Sequence, residues 1–189
     1  MRDLLKQINK IKKGYFSFAD LRKIAQMNDT SLSVTIYRLV AAGELEKLVK
    51  GYYCVDRSKV DYLKMALEIY KPSYLSFEWA LGQSGILSQK SYALTLATTK
   101  RARQAELGDM MASYHHLRND LFFGYILQDG YPIAESEKAF LDLAYLSLNG
   151  YAKFDPEEMN LRLLNKDVVR KYLKKFNNER LEKVVNEIL

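Results

Sequence analysis

The chain has 189 residues, 48% of them hydrophobic, and a formal net charge of +6, which together predict an ordered globular protein of one medium domain or two small ones. Its single cysteine, Cys54, excludes an intramolecular disulfide, and no cysteines and histidines stand at zinc-site spacing. No apolar run has the length of a membrane span, and Met1–Lys13 lacks a cleavable signal pattern, so we expect a cytoplasmic protein that does not enter the membrane.

Residues Phe16–Val55 have the order of a winged helix-turn-helix: a short helix, a tight turn, a second helix and a two-stranded hairpin. Ser17 is the predicted cap of the first helix. The apolar residues of that helix recur at helical spacing, at Leu21, Ile24 and Ala25. Almost no spare residues separate these elements, which is typical of a small DNA-binding module.

The second helix of this motif is predicted to follow a turn at Asn28 and Asp29, with Thr30 or Ser31 as its cap. Four apolar residues fall on one helix face and are predicted to be buried: Leu32, Ile36, Leu39 and Val40. The exposed side presents small, hydroxyl-bearing and cationic residues that can approach base edges: Ser31, Ser33, Val34, Tyr37, Arg38 and Ala41. Gly43 is the predicted end of the helix, because glycine tolerates a left-handed backbone.

A hairpin follows, with predicted strands at Leu45–Val49 and Tyr52–Val55 joined by a tight turn at Lys50-Gly51. This places Lys47 and Lys50 near the hairpin tip, on the side that the polar helix face occupies. Residues 1–55 contain ten basic and five acidic side chains, so this segment carries +5 of the chain's net charge of +6. A basic excess on a groove-sized module favours DNA binding, although many winged domains bind protein instead.

Beyond the hairpin, periodicity predicts a connecting helix at Ser58–Ile69 and then a mixed region of strands and helices. The predicted strands are Tyr92–Thr98, Ser113–Leu117, Phe122–Leu127 and, after an Asp129-Gly130 turn, Tyr131–Ala134. The predicted helices are a short one capped by Ser76, one capped by Ser136 and running to Leu148, one opened by Asp155-Pro156, and two at Lys166–Phe176 and Glu179–Ile188. The predicted fold class is therefore α+β: an N-terminal winged helix-turn-helix (residues 1–56), a connecting helix (57–72) and a mixed α/β C-terminal domain with a small sheet and terminal helices (73–189).

A metal-dependent nuclease is the rival class, because a few carboxylates and a lysine around one ion on a sheet suffice for that chemistry. The chain offers adjacent histidines and scattered ionisable groups: His115, His116, Glu78, Asp120, Glu135, Glu137, Lys138 and Asp142. Adjacent histidines on a strand point to opposite faces and cannot readily share a metal. The sequence also lacks a phosphate-binding glycine loop and a nucleophile elbow. We therefore predict no catalytic residue, no metal site and no cofactor.

Four blocks of sequence beyond the hairpin stand in a distinctive order. They are SYLSFEWALGQSGIL at Ser73–Leu87, LTLATTKRAR at Leu94–Arg103, YHHLRNDLFFGY at Tyr114–Tyr125 and IAESEKAFLDLAYL at Ile133–Leu146. Together they resemble the successive blocks of the AbiEi antitoxin family, the transcription-regulator-like antitoxins of type IV toxin–antitoxin systems. The resemblance covers nearly the whole chain, including the amino-terminal winged helix.

The resemblance implies that the winged domain binds double-stranded DNA at inverted repeats in its own operon's promoter and represses it. It implies that the second domain counteracts a cognate nucleotidyltransferase-like toxin, by direct contact or functionally. The matching basic block implies that Lys100, Arg101 and Arg103 form a positive surface that extends the DNA footprint. The alternative for this block is an ion pair between one of these cations and Glu78 or Asp120. We expect a monomer in solution whose copies pair on DNA, because one small winged helix reads too few base pairs for tight selective binding.

Two further classes stay open. A stand-alone winged-helix regulator would use the same DNA-binding residues without a toxin. A protein-interaction module would use the apolar residues of the tail instead, although these are more simply the core of the second domain: Leu161, Leu164, Val168, Leu173 and Phe176. For either regulator the predicted DNA-binding residues are Ser31, Ser33, Val34, Tyr37, Arg38, Lys47, Lys50, Lys100, Arg101 and Arg103.

Overall fold

The computed structural model describes residues 2–89 and 91–189, and the chain has a mixed α+β architecture. Met1, the first residue of the predicted amino-terminal domain, lies outside the described residues. The chain divides into two units, one formed by the residues up to Met65 together with Ala105–Met110, the other by Ala66–Gln104 together with Met111–Leu189. Within the described ranges, no helix combines the length and the apolar character that crossing a membrane requires.

The amino-terminal part consists of helices and a small antiparallel sheet. Its elements are α1 (Arg2–Asn9), β1 (Phe16–Ser17), α2 (Phe18–Ala25), α3 (Asp29–Ala41), β2 (Glu46–Val49) and β3 (Tyr52–Cys54), followed by a 3-10 turn at Arg57–Lys59 and by α4 (Tyr62–Ile69). The strand order is β1-β3-β2, with Phe16 opposite Tyr53 and Glu46 opposite Cys54. The two helices and the hairpin of the predicted motif are confirmed as secondary structure.

An apolar core holds these elements together. It is built from eight buried side chains: Leu4, Ile8, Phe16, Leu21, Leu32, Ile36, Leu39 and Leu45. The first two come from α1, where they lie four residues apart on one face. The sequence pattern did not indicate α1, because a single apolar repeat among charged residues is too short to establish a period.

The first turn of α2 is closed by a capping box, which confirms the predicted Ser17 cap. Ser17 Oγ accepts a hydrogen bond from the Asp20 N–H at 3.1 Å, and Asp20 Oδ2 accepts one from the Ser17 N–H at 2.9 Å. Lys13 Nζ also donates to Asp20 at 2.7 Å. Burial opposes ionisation of Asp20, but the bonds from Lys13 and Ser17 outweigh it and hold the carboxyl pKa below its ordinary value. This contribution to stability is present above the unfolded pKa of the carboxyl and is lost as the pH falls through the lower folded value.

Replacing Ser17 by alanine should lower the free energy of unfolding by about 1 kcal/mol, because the Asp20 N–H loses its acceptor. Ser33→Ala is the matched control, since the Ser33 hydroxyl donates to the Asp29 carbonyl inside α3 and caps no helix. Urea denaturation of both variants measures the difference. An equal loss in both variants would show that Ser17 has no special role at this helix start.

The start of α3 differs from the prediction. Its cap is Asn28, whose Oδ1 accepts a hydrogen bond from the Ser31 N–H at 2.9 Å, so the assignment of Thr30 or Ser31 as the cap is wrong. Asn28 has the extended backbone that a cap requires, with φ −70° and ψ 160°, whereas Thr30 already lies inside the helix. The predicted end is confirmed: Gly43 follows the last turn with φ +70°.

The buried face of α3 is narrower than predicted. Leu32, Ile36 and Leu39 are buried, but Val40 is 36% exposed, which corrects its assignment to the core. At 3.6 residues per turn, Val40 points about 80° away from Leu32 around the helix axis, at the margin of the buried stripe. The core contacts of α3 therefore come from the other three residues.

The rest of the chain forms a six-stranded mixed sheet covered by helices. Its elements are β4 (Ser73–Leu75), α5 (Phe77–Gln83), β5 (Leu94–Thr98), β6 (Arg103–Leu107), β7 (Met110–His116), β8 (Tyr125–Gln128), β9 (Tyr131–Ala134), α6 (Ser136–Ser147), α7 (Lys166–Phe176) and α8 (Glu179–Ile188). The strand order is β6-β7-β5-β4-β9-β8. β4 pairs antiparallel with β5 and parallel with β9, β5 pairs parallel with β7, and β8 pairs antiparallel with β9.

Several predicted boundaries in this region are corrected. The helix predicted at Ser58–Ile69 is interrupted, and α4 begins only at Tyr62. The strand predicted at Phe122–Leu127 begins at Tyr125, because a 3-10 turn at Asn119–Leu121 precedes it. Asp155-Pro156 opens a 3-10 turn rather than an α-helix.

Of the two serine caps predicted in this region, Ser136 is wrong, whereas Ser76 is confirmed as the cap residue but makes no capping hydrogen bond with its side chain. Ser136 is the first residue of α6, and Glu135 occupies the cap position without a side-chain hydrogen bond to the helix. Ser76 stands at the start of α5, but its hydroxyl donates to the buried Asp142 instead of capping. By contrast, the Asp129-Gly130 hairpin turn and the ranges of α7 and α8 are confirmed.

The core of the second unit lies around α6, most of whose side chains are buried, with apolar contributions from α5, α7 and α8. The tail residues Leu164, Leu173 and Phe176 belong to this core, with at most 6% of their surface exposed. The apolar stripe considered for a protein-interaction module is thus largely occupied within the chain itself.

Candidate nucleic-acid interface

One face of α3 presents side chains to solvent while the other anchors the helix in the core. The exposed residues include all those predicted to approach base edges: Ser31, Ser33, Val34, Tyr37, Arg38 and Ala41. Tyr37 is 75% exposed and Val34 is 45% exposed, so two sizeable side chains of this face lie largely in solvent. The face therefore combines apolar groups with hydroxyls and one guanidinium.

The polar groups on this face differ in the hydrogen bonds that they already make within the chain. The Ser33 hydroxyl donates to the Asp29 carbonyl at 2.7 Å and so keeps only acceptor capacity toward a ligand. In the described part of the chain, no ion pair or hydrogen bond engages the guanidinium of Arg38. Arg38 is exposed, so its guanidinium N–H donors are available to an acceptor from outside.

The β2–β3 hairpin carries the two predicted lysines. Lys47 and Lys50 are both exposed, and the strand pairing shifts register between Lys47 and Val49. Gly51 has φ +82°, as the tight turn requires, and its carbonyl accepts a hydrogen bond from the Phe18 N–H at 2.8 Å. This bond ties the hairpin turn to the start of α2, so the lysines stand on an anchored element.

The basic block lies at the β5–β6 connection. Lys100 and Arg101 occupy the loop, Arg103 begins β6, and all three side chains are exposed. Tyr70 organises the block: the Lys100 ammonium lies 5.5 Å and the Arg103 guanidinium 4.8 Å from its ring centroid, and its hydroxyl donates to the Arg101 carbonyl at 2.9 Å. The sequence contained no signal for this role of Tyr70, since it lies some thirty positions earlier in the chain.

The two carboxylates considered as ion-pair partners of this block, Glu78 and Asp120, have other environments. Asp120 pairs with Arg118 at 2.9 Å. Glu78 is largely buried, its Oε2 has no hydrogen-bond partner among the described residues, and burial raises its pKa. Within the described ranges, Lys100 and Arg103 contact an aromatic ring and none of the three cations pairs with a carboxylate, so their charge remains available to a ligand.

The two histidines considered for catalysis lie in different environments. His115 packs edge-to-face on Phe77 with a centroid distance of 5.0 Å, and burial lowers its pKa, whereas His116 is exposed. Among the residues that the structure describes, no three His, Cys, Asp or Glu side chains come together as a metal site. Cys54 is buried, and burial raises the pKa of its thiol to about 11, so it stays a protonated, unreactive group.

A buried polar cluster on α6 had no counterpart in the predictions. Lys138 Nζ donates to Asp142 Oδ1, and Asp142 Oδ2 accepts from the hydroxyls of Tyr74 at 3.0 Å and Ser76 at 2.9 Å. The rings of Phe123 and Phe176 lie 4.9 Å and 5.2 Å from the Lys138 ammonium. Both members of the pair are 0% exposed, so we assign it a structural role. Its sequence signal was the spacing of four between a lysine and an aspartate on one helix.

Comparison of the chain with protein-family models and with curated proteins finds no match. Its function has therefore to be inferred from the residues themselves. The exposed face of α3, the lysines of the hairpin and the Tyr70-organised basic block are the features that bear on it.

Proposed function

We propose that the protein is a DNA-binding transcriptional repressor in which α2, α3 and the β2–β3 hairpin act as a winged helix-turn-helix. The observation that carries the proposal is the exposed face of α3, where an unengaged Arg38 stands beside Ser31, Val34 and Tyr37 above a buried apolar face. An α-helix fits the major groove of B-DNA, and these side chains match the groups displayed there.

Each side chain of this face has a matching group on DNA. Arg38 offers two parallel N–H donors to the O6 and N7 acceptors of a guanine. Val34 is suited to the methyl group of a thymine, which is the apolar feature of the major groove. Lys47 and Lys50 supply charge to the phosphates, which positions the module without reading sequence.

The Lys100, Arg101 and Arg103 block supplies a second set of phosphate contacts in this proposal. The Tyr70 ring restricts the Lys100 and Arg103 side chains, so less rotamer freedom is lost when phosphates are bound. These contacts would raise affinity on every DNA sequence and steepen the dependence of binding on salt.

The resemblance to the AbiEi family extends the proposal to an antitoxin. The protein would bind inverted repeats in its own promoter as copies that pair on DNA, and would counteract a nucleotidyltransferase-like toxin encoded beside it. A stand-alone regulator is the second candidate, and growth during co-expression with the neighbouring toxin-like gene separates the two. Rescue of growth by the full chain supports the antitoxin, and toxicity undiminished by the chain overturns it.

The DNA-binding proposal is tested by gel-shift titration against the DNA upstream of the protein's own gene, with scrambled DNA as competitor. We expect Arg38→Ala to weaken operator binding by about 1–3 kcal/mol and to blur base preference. Lys50→Ala should weaken all sequences alike and flatten the salt dependence. Arg180→Ala, at an exposed position on α8, is the matched control and should bind as the wild type does.

Each alternative result has a definite meaning. Operator binding unaffected by Arg38→Ala would show that α3 is not the recognition helix. Equal affinity for operator and scrambled DNA would overturn the repressor proposal and leave the exposed Val34 and Tyr37 as a protein-binding surface. A stoichiometry of one chain per repeat pair would exclude pairing on DNA.

A further inference from the structure

A cavity of about 670 Å³ lies within the second unit, between the β6–β7 edge of the sheet and the end of α6. Its size falls in the range of small-molecule sites, about 300–1,000 Å³. The lining residues that carry functional groups are Arg103, Gln104, His115, Tyr145, Asn149 and Tyr151. Neither the DNA-binding proposal nor the sequence patterns account for this cavity.

Aromatic rings form much of its wall, and the packing behind two of them holds them in place. Tyr145 lies against Phe176 with a centroid distance of 5.5 Å, and His115 lies against Phe77 at 5.0 Å. Tyr151 is different, because 73% of its surface is exposed although its N–H is bonded to the Leu146 carbonyl at 3.2 Å. An exposed ring on an anchored backbone is a surface on which a flat ligand can stack.

The polar groups of the wall suit the edge of a heterocycle. Gln104 and Asn149 each carry an amide that both donates and accepts hydrogen bonds. Burial lowers the pKa of His115, so at neutral pH its ring is uncharged and offers one donor and one acceptor. Paired donors and acceptors at a flat apolar site are what the hydrogen-bonding edge of a nucleobase requires.

The charge around the cavity is positive. Among the described residues that line it, none carries a carboxylate, and the cationic residue Arg103 is one of them, with its guanidinium 4.8 Å from the centroid of the Tyr70 ring. His116 also lines the cavity, and its Nδ1 lies 3.0 Å from the Lys100 carbonyl, which connects the wall to the basic block. Because a carbonyl only accepts, Nδ1 carries the proton in this bond, which leaves Nε2 to meet a ligand.

From this arrangement we propose that the cavity is a nucleotide-binding site, with the base stacked on Tyr151 and Tyr145 and the phosphate held at Arg103. Gln104, Asn149 and His115 contact the edge of the base. The chemistry is that of a nucleoside monophosphate, either free in solution or at the end of a single strand. The site does not depend on the function proposed for α3, because every residue of it lies in the second unit.

Isothermal titration calorimetry of the full chain with AMP, GMP, CMP and UMP tests the site. We expect at least one of them to bind with a dissociation constant below about 1 mM. Adenosine or another matching nucleoside should bind more weakly, and ribose 5-phosphate should not bind measurably, because stacking of the base supplies most of the affinity. Absence of binding by all four nucleotides, or equal binding of ribose 5-phosphate, overturns the proposal.

Two variants separate the contributions of base and phosphate. Tyr151→Ala should weaken nucleotide and nucleoside alike by about tenfold or more. Arg103→Gln should weaken the nucleotide and leave the nucleoside unchanged. The matched controls are Tyr92→Ala, at a tyrosine 97% exposed outside the cavity, and Arg180→Gln, and both should bind as the wild type does.

Further binding measurements identify the source of the ligand and check that it occupies this cavity. If a tetranucleotide ending in the preferred base binds more tightly than the mononucleotide, the ligand is the end of a single strand. If the mononucleotide binds more tightly, the ligand is the free nucleotide. If Tyr151→Ala and Arg103→Gln bind the nucleotide as tightly as their control variants do, the proposal is overturned. A nucleotide that still binds would then occupy a different site. Circular dichroism of both variants establishes that they are folded.

Discussion

Replacement of Lys138 by methionine is expected to lower the free energy of unfolding by about 3–5 kcal/mol. Lys138 and Asp142 are both 0% exposed, so removing the ammonium leaves a carboxylate in the core without its counter-charge. The hydroxyls of Tyr74 and Ser76 still donate to that carboxylate, but two neutral donors do not replace a charged one. Urea denaturation followed by the fluorescence of Trp79, the chain's single tryptophan, measures the loss in the second unit.

A double variant distinguishes the loss of a counter-charge from a mere change of shape. Lys138→Met combined with Asp142→Leu should be more stable than Lys138→Met alone, because no buried charge then lacks a partner. Lys171→Met, at an exposed lysine on α7, is the control and should change stability little. A Lys138→Met protein as stable as this control would show that the pair contributes nothing to the fold.

The loss in Lys138→Met should also depend on pH. Burial raises the pKa of Asp142 even with Lys138 in place, and removing the lysine removes a cause that lowers it. A carboxyl whose folded pKa lies above its unfolded value destabilises the fold as the pH rises through that range. The difference between Lys138→Met and the wild type should therefore shrink as the pH is lowered, and a difference that grows in acid would contradict this account.

Leu39→Ala is expected to destabilise the amino-terminal unit by about 2–5 kcal/mol. Leu39 is 0% exposed and packs in the core with Leu21, Leu32 and Ile36, so its truncation leaves a cavity beneath α3. Val40→Ala, one residue further along the same helix, should cost less than about 1 kcal/mol, because Val40 is already partly in solvent.

The Leu39→Ala and Val40→Ala variants are compared by hydrogen exchange of peptides from α3, because the fluorescence of Trp79 reports on the second unit. Faster exchange in Leu39→Ala alone confirms which face of α3 is buried. Similar exchange in both variants would mean that the helix is not anchored by the Leu39 face, and the exposed face proposed for DNA would have to be reassigned.

Local signals in the sequence predicted much of the fold. Ser17, Gly43 and the Asp129-Gly130 turn were identified because capping and turn hydrogen bonds join residues only a few positions apart. The ranges of α7 and α8 followed from regular apolar spacing. β6 was missed for the converse reason: its alternation is short and it begins inside a run of cations.

The sequence by itself therefore determined the α+β class, the helices and hairpin of the amino-terminal part and the exposed positions of the residues predicted to meet DNA. Only the tertiary structure decided that the Ser76 hydroxyl donates a hydrogen bond to Asp142, sixty-six positions away, instead of bonding to the start of its own helix. The Tyr70 ring beneath the basic block and the cavity beside Tyr151 were also decided at that level. The physical reason is that these features require groups distant in sequence to be adjacent in space, and one-dimensional periodicity carries no information about which distant groups will meet.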